Sequence, residues 1–227
     1  MQPRVPFYNI RHQAYELAYK LAWEKLASMD IKHQCPKSGA QYQEVDAKRT
    51  IIIEYLIRPY LISLPQAAIS LRDSEESVPL KEKILILHYL TSAKSTPATN
   101  KLITFKQLPG CASYFPVFYQ LAIKPLLDHF GKQPELLMAS AAKLGGYSAD
   151  YGDTSMTIRA FPRVPITIAL WRGDDEFAPR GSIMFDSSIS DYLSAEDIRE
   201  LCATITSRLI SFKKCELFPV ISDQGTS

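Results

Sequence analysis

The sequence predicts an α+β domain with a largely antiparallel sheet assembled from distant segments and packed against helices. Residues 155–161 alternate apolar and polar side chains, which is the period-two pattern of a half-buried strand. Residues 49–57 and 164–171 are rich in β-branched and apolar side chains, which favours strands. Segments with the three- and four-residue spacing of amphipathic helices lie near both ends of the chain and in its middle.

The first half of the chain is predicted to contain two helices, one strand and two further short strands. The helices are expected at 12–29 and 79–93, and the strands at 49–57, 60–63 and 66–71. The segment 29–42 is polar and contains Pro36 and Gly39, so it is predicted to be a loop.

The second half is predicted to alternate helices and strands. Helical segments are expected at 114–130, 134–144 and 195–213, and strands at 155–161, 164–171 and 183–185. Pro125 is expected to kink or divide the first of these helices, and Gly131 to end it. We predict that residues 155–185 form adjacent antiparallel strands with Ile166, Ile168 and Leu170 facing the core. Residues 1–215 are predicted to form a single domain, followed by a flexible tail at 216–227.

Composition excludes several classes of protein. The net charge is +2 and no basic run occurs, so we expect no nucleic-acid partner. No apolar stretch approaches the roughly 18–20 residues that span a bilayer, and no secretory signal is visible, so we expect a cytoplasmic protein without membrane contact. Four well-separated cysteines, at 35, 111, 202 and 215, are expected to be free thiols that hold no cluster.

A candidate binding edge is predicted where the strands of 155–186 end. Arg163 stands between two prolines that stiffen the backbone, and its guanidinium can grip an anion with two hydrogen bonds. The turn at 173–177 carries Asp174, Asp175 and Glu176, and Asp186 follows the last strand. The competing interpretations are an ion pair between Arg163 and one of these aspartates, and a solvated acidic turn balanced by Arg172 and Arg180. We expect no metal site, because neighbouring side chains in a strand point to opposite faces.

His88 completes the candidate set, because it lies on a mostly apolar predicted helix. A histidine in that setting is usually a hydrogen-bonded core residue. As a free imidazole in a pocket, it could instead provide a nitrogen ligand or accept a proton. No catalytic residue is assigned, since no known catalytic spacing accompanies any histidine or cysteine.

Several segments resemble an uncharacterised domain-of-unknown-function family from anaerobic bacteria and archaea. They are ILILHYL (84–90), ITFKQLPG (103–110), SYFPVF (113–118), FPRVPITIALWRGDDEF (161–177) and IMFDSSISDYLSAEDI (183–198). Some members carry an N-terminal iron–sulfur segment resembling that of corrinoid iron–sulfur proteins, and this chain lacks that cysteine-rich segment. The resemblance covers roughly residues 10–205 and implies a place in anaerobic one-carbon or corrinoid metabolism, with a corrinoid as a possible cofactor.

From this resemblance we expect an accessory, non-catalytic protein that binds a small molecule or cofactor. Arg163, His88, Asp174, Asp175, Glu176 and Asp186 are the residues expected to bind it. One alternative is an enzyme with a site around Arg163 and Asp186. Another is a protein-interaction module that uses the acidic turn 173–177 to bind a partner protein.

Overall fold

The computed structural model describes the backbone of residues 7–217 and the side chains of residues 12–213, and it confirms the α+β class. The helices are α1 (Phe7–Ala27), α2 (Ile31–Ser38), α3 (Leu80–Ser92), α4 (Phe115–Phe118), α5 (Lys124–Phe130), α6 (Leu136–Ala142) and α7 (Ala195–Leu217). The strands are β1 (Gln41–Val45), β2 (Lys48–Tyr55), β3 (Arg58–Leu64), β4 (Ala68–Leu71), β5 (Leu102–Thr104), β6 (Tyr147–Ser148), β7 (Thr154–Phe161), β8 (Val164–Trp171) and β9 (Arg180–Asp186).

The chain divides into two compact units. Unit 1 contains the described residues up to 101, together with Arg159–Val164 and Asp186–Asp197. Unit 2 contains Leu102–Ile158, Pro165–Phe185 and the described residues from 198 onwards. The single domain over residues 1–215 stays a prediction.

The strands form two antiparallel sheets rather than the one sheet expected from the sequence. The first sheet, in unit 1, has the order β1-β2-β3-β4, and the second has the order β5-β9-β8-β7-β6. The first sheet consists of successive hairpins, and the turn between β2 and β3 places Leu56 and Ile57 at φ values of 49° and 61°. Positive φ at both central residues gives a turn whose twist matches that of the paired strands.

A run of aromatic rings forms part of the core of unit 1. Tyr60, Tyr55, Phe161, Tyr89 and Tyr192 follow one another with centroid separations of 5.8, 4.8, 4.1 and 6.1 Å. Each of these side chains is at most 1% exposed. Phe161 is central because it contacts both Tyr55 and Tyr89, and the Leu56 amide donates to the Ala160 carbonyl beside it at 3.0 Å.

The second sheet confirms the predicted antiparallel pairing of the strands on either side of the acidic turn. Strands β8 and β9 pair with Ile166 opposite Phe185 and Ile168 opposite Ile183. Ile166, Ile168 and Leu170 are each at most 1% exposed, so their predicted core positions are confirmed. The intervening Thr167 is also buried, and its hydroxyl bonds that of Thr157 at 2.9 Å. Both faces of β8 are therefore covered.

The predicted loop at 29–42 is wrong, because α2 and the start of β1 occupy most of it. Asp30 caps the helix by accepting from the His33 amide, and Gly39 ends it at φ 75°. Gln34 is 6% exposed and donates to the carbonyls of Leu90 and Ala93 at 2.8 and 2.9 Å. These bonds within unit 1 stabilise a helix whose own sequence has little apolar periodicity.

The predicted helix of 114–130 is divided near Pro125. Residues Tyr119–Ile123 form a π-helical stretch between α4 and α5, and Pro125 lies in the first turn of α5. In the last helix, α7 continues to Leu217, beyond the predicted end near 213. The predicted tail lies outside the described residues from 218 onwards.

Cys35, Cys111 and Cys202 are buried and free, whereas the side chain of Cys215 lies outside the described residues. Burial raises the pKa of the Cys35 thiol to about 11 and also raises that of Cys202. Within the described residues, no helix combines the length and apolar composition needed to cross a bilayer.

Candidate functional site

The predicted site residues lie in two different units. Arg163, His88 and Asp186 belong to unit 1, whereas Asp174, Asp175 and Glu176 belong to unit 2. Their convergence on one site stays a prediction. The contacts of each residue within its own unit nevertheless indicate what its side chain does.

Arg163 lies in the turn between β7 and β8, and its side chain is exposed. Its amide donates to the Tyr89 hydroxyl at 3.3 Å, and its guanidinium Nη2 donates to the Pro36 carbonyl at 3.2 Å. Within unit 1, no ion pair joins it to Asp186 among the described residues. A hydrogen bond to the backbone therefore holds the guanidinium within unit 1. Its roles as an anion grip or as the partner of an aspartate of the acidic turn stay predictions.

The buried hydroxyl of Tyr192 brings Arg163 and Asp186 into one neighbourhood. Burial raises the pKa of Tyr192. The positive charge of Arg163 lowers this pKa, and the negative charges of Asp191 and Asp186 raise it further. The hydroxyl donates to the Thr96 carbonyl in a short hydrogen bond. Sequence reasoning missed Tyr192, because its position after the last strand carries no motif.

Asp186 is 6% exposed, and its carboxylate accepts five hydrogen bonds from three other residues of unit 1. The donors are the amides of Thr99, Asn100 and Ser188 and the hydroxyls of Thr99 and Ser188, at 2.6–3.1 Å. Burial alone would raise the pKa of this carboxyl, but the bonds from Ser188 and Thr99 outweigh it and lower the pKa to about 2. Asp186 therefore holds the segment 99–101 against the end of β9.

His88 is hydrogen-bonded to Asp197 in unit 1. Its Nδ1 lies 2.7 Å from Asp197 Oδ1, and the side chains are 34% and 12% exposed. Ser194 Oγ donates to the other carboxylate oxygen at 2.6 Å and accepts from the Asp197 amide at 3.2 Å, so the two residues cap the N-terminus of α7. Burial raises the pKa of Asp197, but the bonds from His88 and Ser194 outweigh it, so the pKa lies below its ordinary value. The pair joins α3 to the start of α7.

The acidic turn in unit 2 is exposed and is organised by its own backbone. Asp174 Oδ1 accepts from the amides of Glu176 and Phe177 at 2.9 and 2.7 Å. Arg172, expected to balance the turn, instead pairs with Glu135 at 2.8 Å. Phe177 is 68% exposed at the end of the turn. Among the described residues, no group of three histidine, cysteine or acidic side chains could hold a metal ion.

An open cleft of about 680 Å³ lies in unit 2. It is lined by Leu127, Asp128, His129, Lys132, Gln133, Pro179 and Lys213. None of the predicted site residues belongs to this lining. Sequence reasoning missed the cleft because its residues come from α5 and the segment after it, from the segment before β9 and from α7, without any motif spacing.

Gly131 permits the close packing that shapes this cleft. A Cβ atom there would lie 2.5 Å from the Leu127 carbonyl oxygen and 2.7 Å from the Pro179 ring. The Gly173 amide also donates to the Gly131 carbonyl at 3.4 Å. The segment that carries the acidic turn is thus packed directly against the C-terminal end of α5.

Comparison with known proteins gives a family but no functional precedent. The model of a family described as a domain of unknown function (DUF3786) matches residues 30–208. No curated protein matches the chain significantly. No solved structure matches it significantly either. Since the match covers most of the sequence, the chain belongs to the family described as a domain of unknown function (DUF3786).

Proposed function

We propose that this protein binds a small molecule or cofactor in the cleft of unit 2 and acts as a non-catalytic accessory protein. One observation carries the proposal: a cleft of about 680 Å³ lined by both apolar and polar side chains. Small-molecule sites are concave and commonly enclose about 300–1,000 Å³. The cleft is open, so a larger ligand would be only partly enclosed.

The setting of this function is proposed from the family resemblance alone. It points to anaerobic one-carbon or corrinoid metabolism and makes a corrinoid the first ligand to test. A cytoplasmic location is also proposed, and three buried free thiols support it because reducing compartments keep cysteines unpaired.

A protein-interaction module is a second candidate function. The side chain of Phe177 is 68% exposed beside Asp175 and Glu176. Aromatic side chains are enriched at protein interfaces, and the acidic neighbours would favour a basic partner surface. An enzyme around Arg163 and Asp186 receives less support, because hydrogen bonds within the fold occupy the Asp186 carboxylate.

Native mass spectrometry and the absorption spectrum of anaerobically purified protein test the cofactor proposal. Retained mass that disappears on denaturation is expected, with a visible chromophore if the ligand is a corrinoid. The variant Gln133→Trp would fill the cleft without changing its charge, and we expect it to lose the bound mass. Gln120→Trp is the matched control, since Gln120 is exposed in unit 2 and does not line the cleft.

Two outcomes would contradict small-molecule binding in the cleft. One is a protein without bound mass that also fails to take up an added corrinoid. The other is retention of the ligand by Gln133→Trp at the wild-type level. A specific protein partner lost on Phe177→Ala would then favour the interaction module.

A further inference from the structure

The charged side chains of the cleft are predominantly cationic. Lys132 and Lys213 line it together with His129, and Asp128 is its one carboxylate among the described residues. Asp128 Oδ2 already accepts from Lys124 Nζ at 2.6 Å within α5. The negative charge of Asp128 is thereby offset, and the positive charges of the two lysines remain to be balanced.

Lys213 is held at the cleft by contacts that use only part of its capacity. Its ammonium donates to the His129 carbonyl in a short hydrogen bond and lies 5.1 Å from the centroid of the Phe130 ring. An ammonium has three N–H donors, so a bond to one carbonyl leaves donors for a ligand. The contacts also reduce the side-chain entropy that ligand binding would otherwise cost.

His129 is oriented by a hydrogen bond that leaves its other ring nitrogen for the cleft. Its Nδ1 lies 2.9 Å from the Pro125 carbonyl oxygen, which can only accept, so Nδ1 carries the proton. Among the described residues, Nε2 has no hydrogen-bond partner. It can accept a proton from a ligand hydroxyl or, when protonated, donate to an anion.

Lys132 is the charged residue of the lining with the fewest hydrogen bonds and ion pairs to the rest of the described chain. It is exposed, and in the part of the chain that the structure describes it has no ion pair. A structural explanation is available for Lys213, which stabilises the carbonyl end of α5. No such explanation applies to Lys132.

We propose that the cleft binds the anionic group of its ligand, a phosphate or a carboxylate, through Lys132, Lys213 and the Nε2 atom of His129. This inference rests on the proposed function and specifies the chemistry of the ligand. Lys132 and Lys213 supply the attraction. Nε2 of the fixed His129 ring accepts a hydrogen bond from a ligand hydroxyl, or donates one to the anion when the imidazole is protonated. The ligand's remaining atoms then lie against Leu127 and Pro179.

Titration of the protein with inorganic phosphate, at constant ionic strength, tests the charge requirement. Ring ¹H–¹⁵N correlations report on each histidine, and His129→Asn assigns the signal of His129. Phosphate should shift the His129 signal saturably, while His88 serves as an internal control outside the cleft. Acetate in a parallel titration distinguishes a carboxylate site from a phosphate site, and saturation by either anion supports the proposal.

Charge-removing variants locate the binding. Lys132→Gln and Lys213→Gln should each raise the dissociation constant by about three- to tenfold, because each removes one charge-assisted hydrogen bond. Lys106→Gln is the matched control: this exposed lysine of unit 2 lies 4.1 Å from the Phe115 ring but not in the cleft. Added sodium chloride should weaken phosphate binding, because salt screens charges that are open to solvent.

The inference and the proposed function fail in different ways. If neither anion shifts His129 saturably, or if Lys106→Gln weakens binding as much as Lys132→Gln, the anion site is refuted. A ligand lost from Gln133→Trp but kept by Lys132→Gln and Lys213→Gln would show that the cleft binds a neutral group. The proposed function would then stand without the anion site.

Discussion

Two regions of the molecule differ in how far their polar and charged side chains are hydrogen-bonded within the fold. In unit 1, both carboxylate oxygens of Asp186 accept hydrogen bonds from other residues of the same unit. In the cleft of unit 2, Lys132 has no ion pair among the described residues, and His129 keeps a ring nitrogen without a partner there. Charged groups satisfied within the fold act on stability, whereas those left open to a cleft can act on a ligand.

The largest expected effect follows from removing the Asp186 carboxylate. Asp186→Ala leaves three amides and two hydroxyls without their acceptor, so we expect the free energy of unfolding to fall by about 3 kcal/mol. A urea titration measures this loss. Asp175→Ala, in the exposed acidic turn, is the control and should change stability by less than about 0.5 kcal/mol. Equal effects of the two variants would remove the distinction between a structural and an open carboxylate.

The pH dependence of the free energy of unfolding should also show the contribution of the Asp186 carboxylate. Its folded pKa is about 2, below the ordinary value of 3.8, so its contribution is present above the unfolded pKa and is lost as the pH falls through the folded value. This shift in pKa corresponds to a contribution of about 2 kcal/mol to the free energy of unfolding at neutral pH. Urea titrations between pH 5 and pH 2.5 should show that the gap between wild type and Asp186→Asn narrows as the pH falls. A constant gap would contradict the lowered pKa.

A smaller effect is expected from the hydrogen bond between His88 and Asp197. A double-mutant cycle with His88→Gln and Asp197→Asn should give a coupling of about 0.5–1 kcal/mol, because His88 is 34% exposed and solvent weakens the pair. Lys132→Gln provides the contrast from the cleft, where we expect a change in stability within about 0.5 kcal/mol. If the cycle showed no coupling and Lys132→Gln lost much stability, the charged group of the cleft, rather than the contact in unit 1, would be the one that stabilises the fold.

The candidate site shows where sequence reasoning loses its basis. Arg163 and Asp186 were chosen for their chemistry and their place at strand ends, and they do lie near a common residue, Tyr192. The sequence could not show that Asp186 is occupied by residues 86 and 87 positions away. It also could not indicate the cleft, since Lys213 reaches the carbonyl of a residue 84 positions earlier.

Local pattern determined the strands of 155–186, the strands within 48–71 and the start of α7, because the periods of strands and helices are visible within a short window. Only the tertiary structure decided the helix at Ile31–Ser38, since Gln34 gains its buried partners from residues 90 and 93. The same holds for the roles of the charged residues. A side chain's chemistry is written in the sequence, but whether it stays free for a ligand depends on partners that folding brings from distant positions.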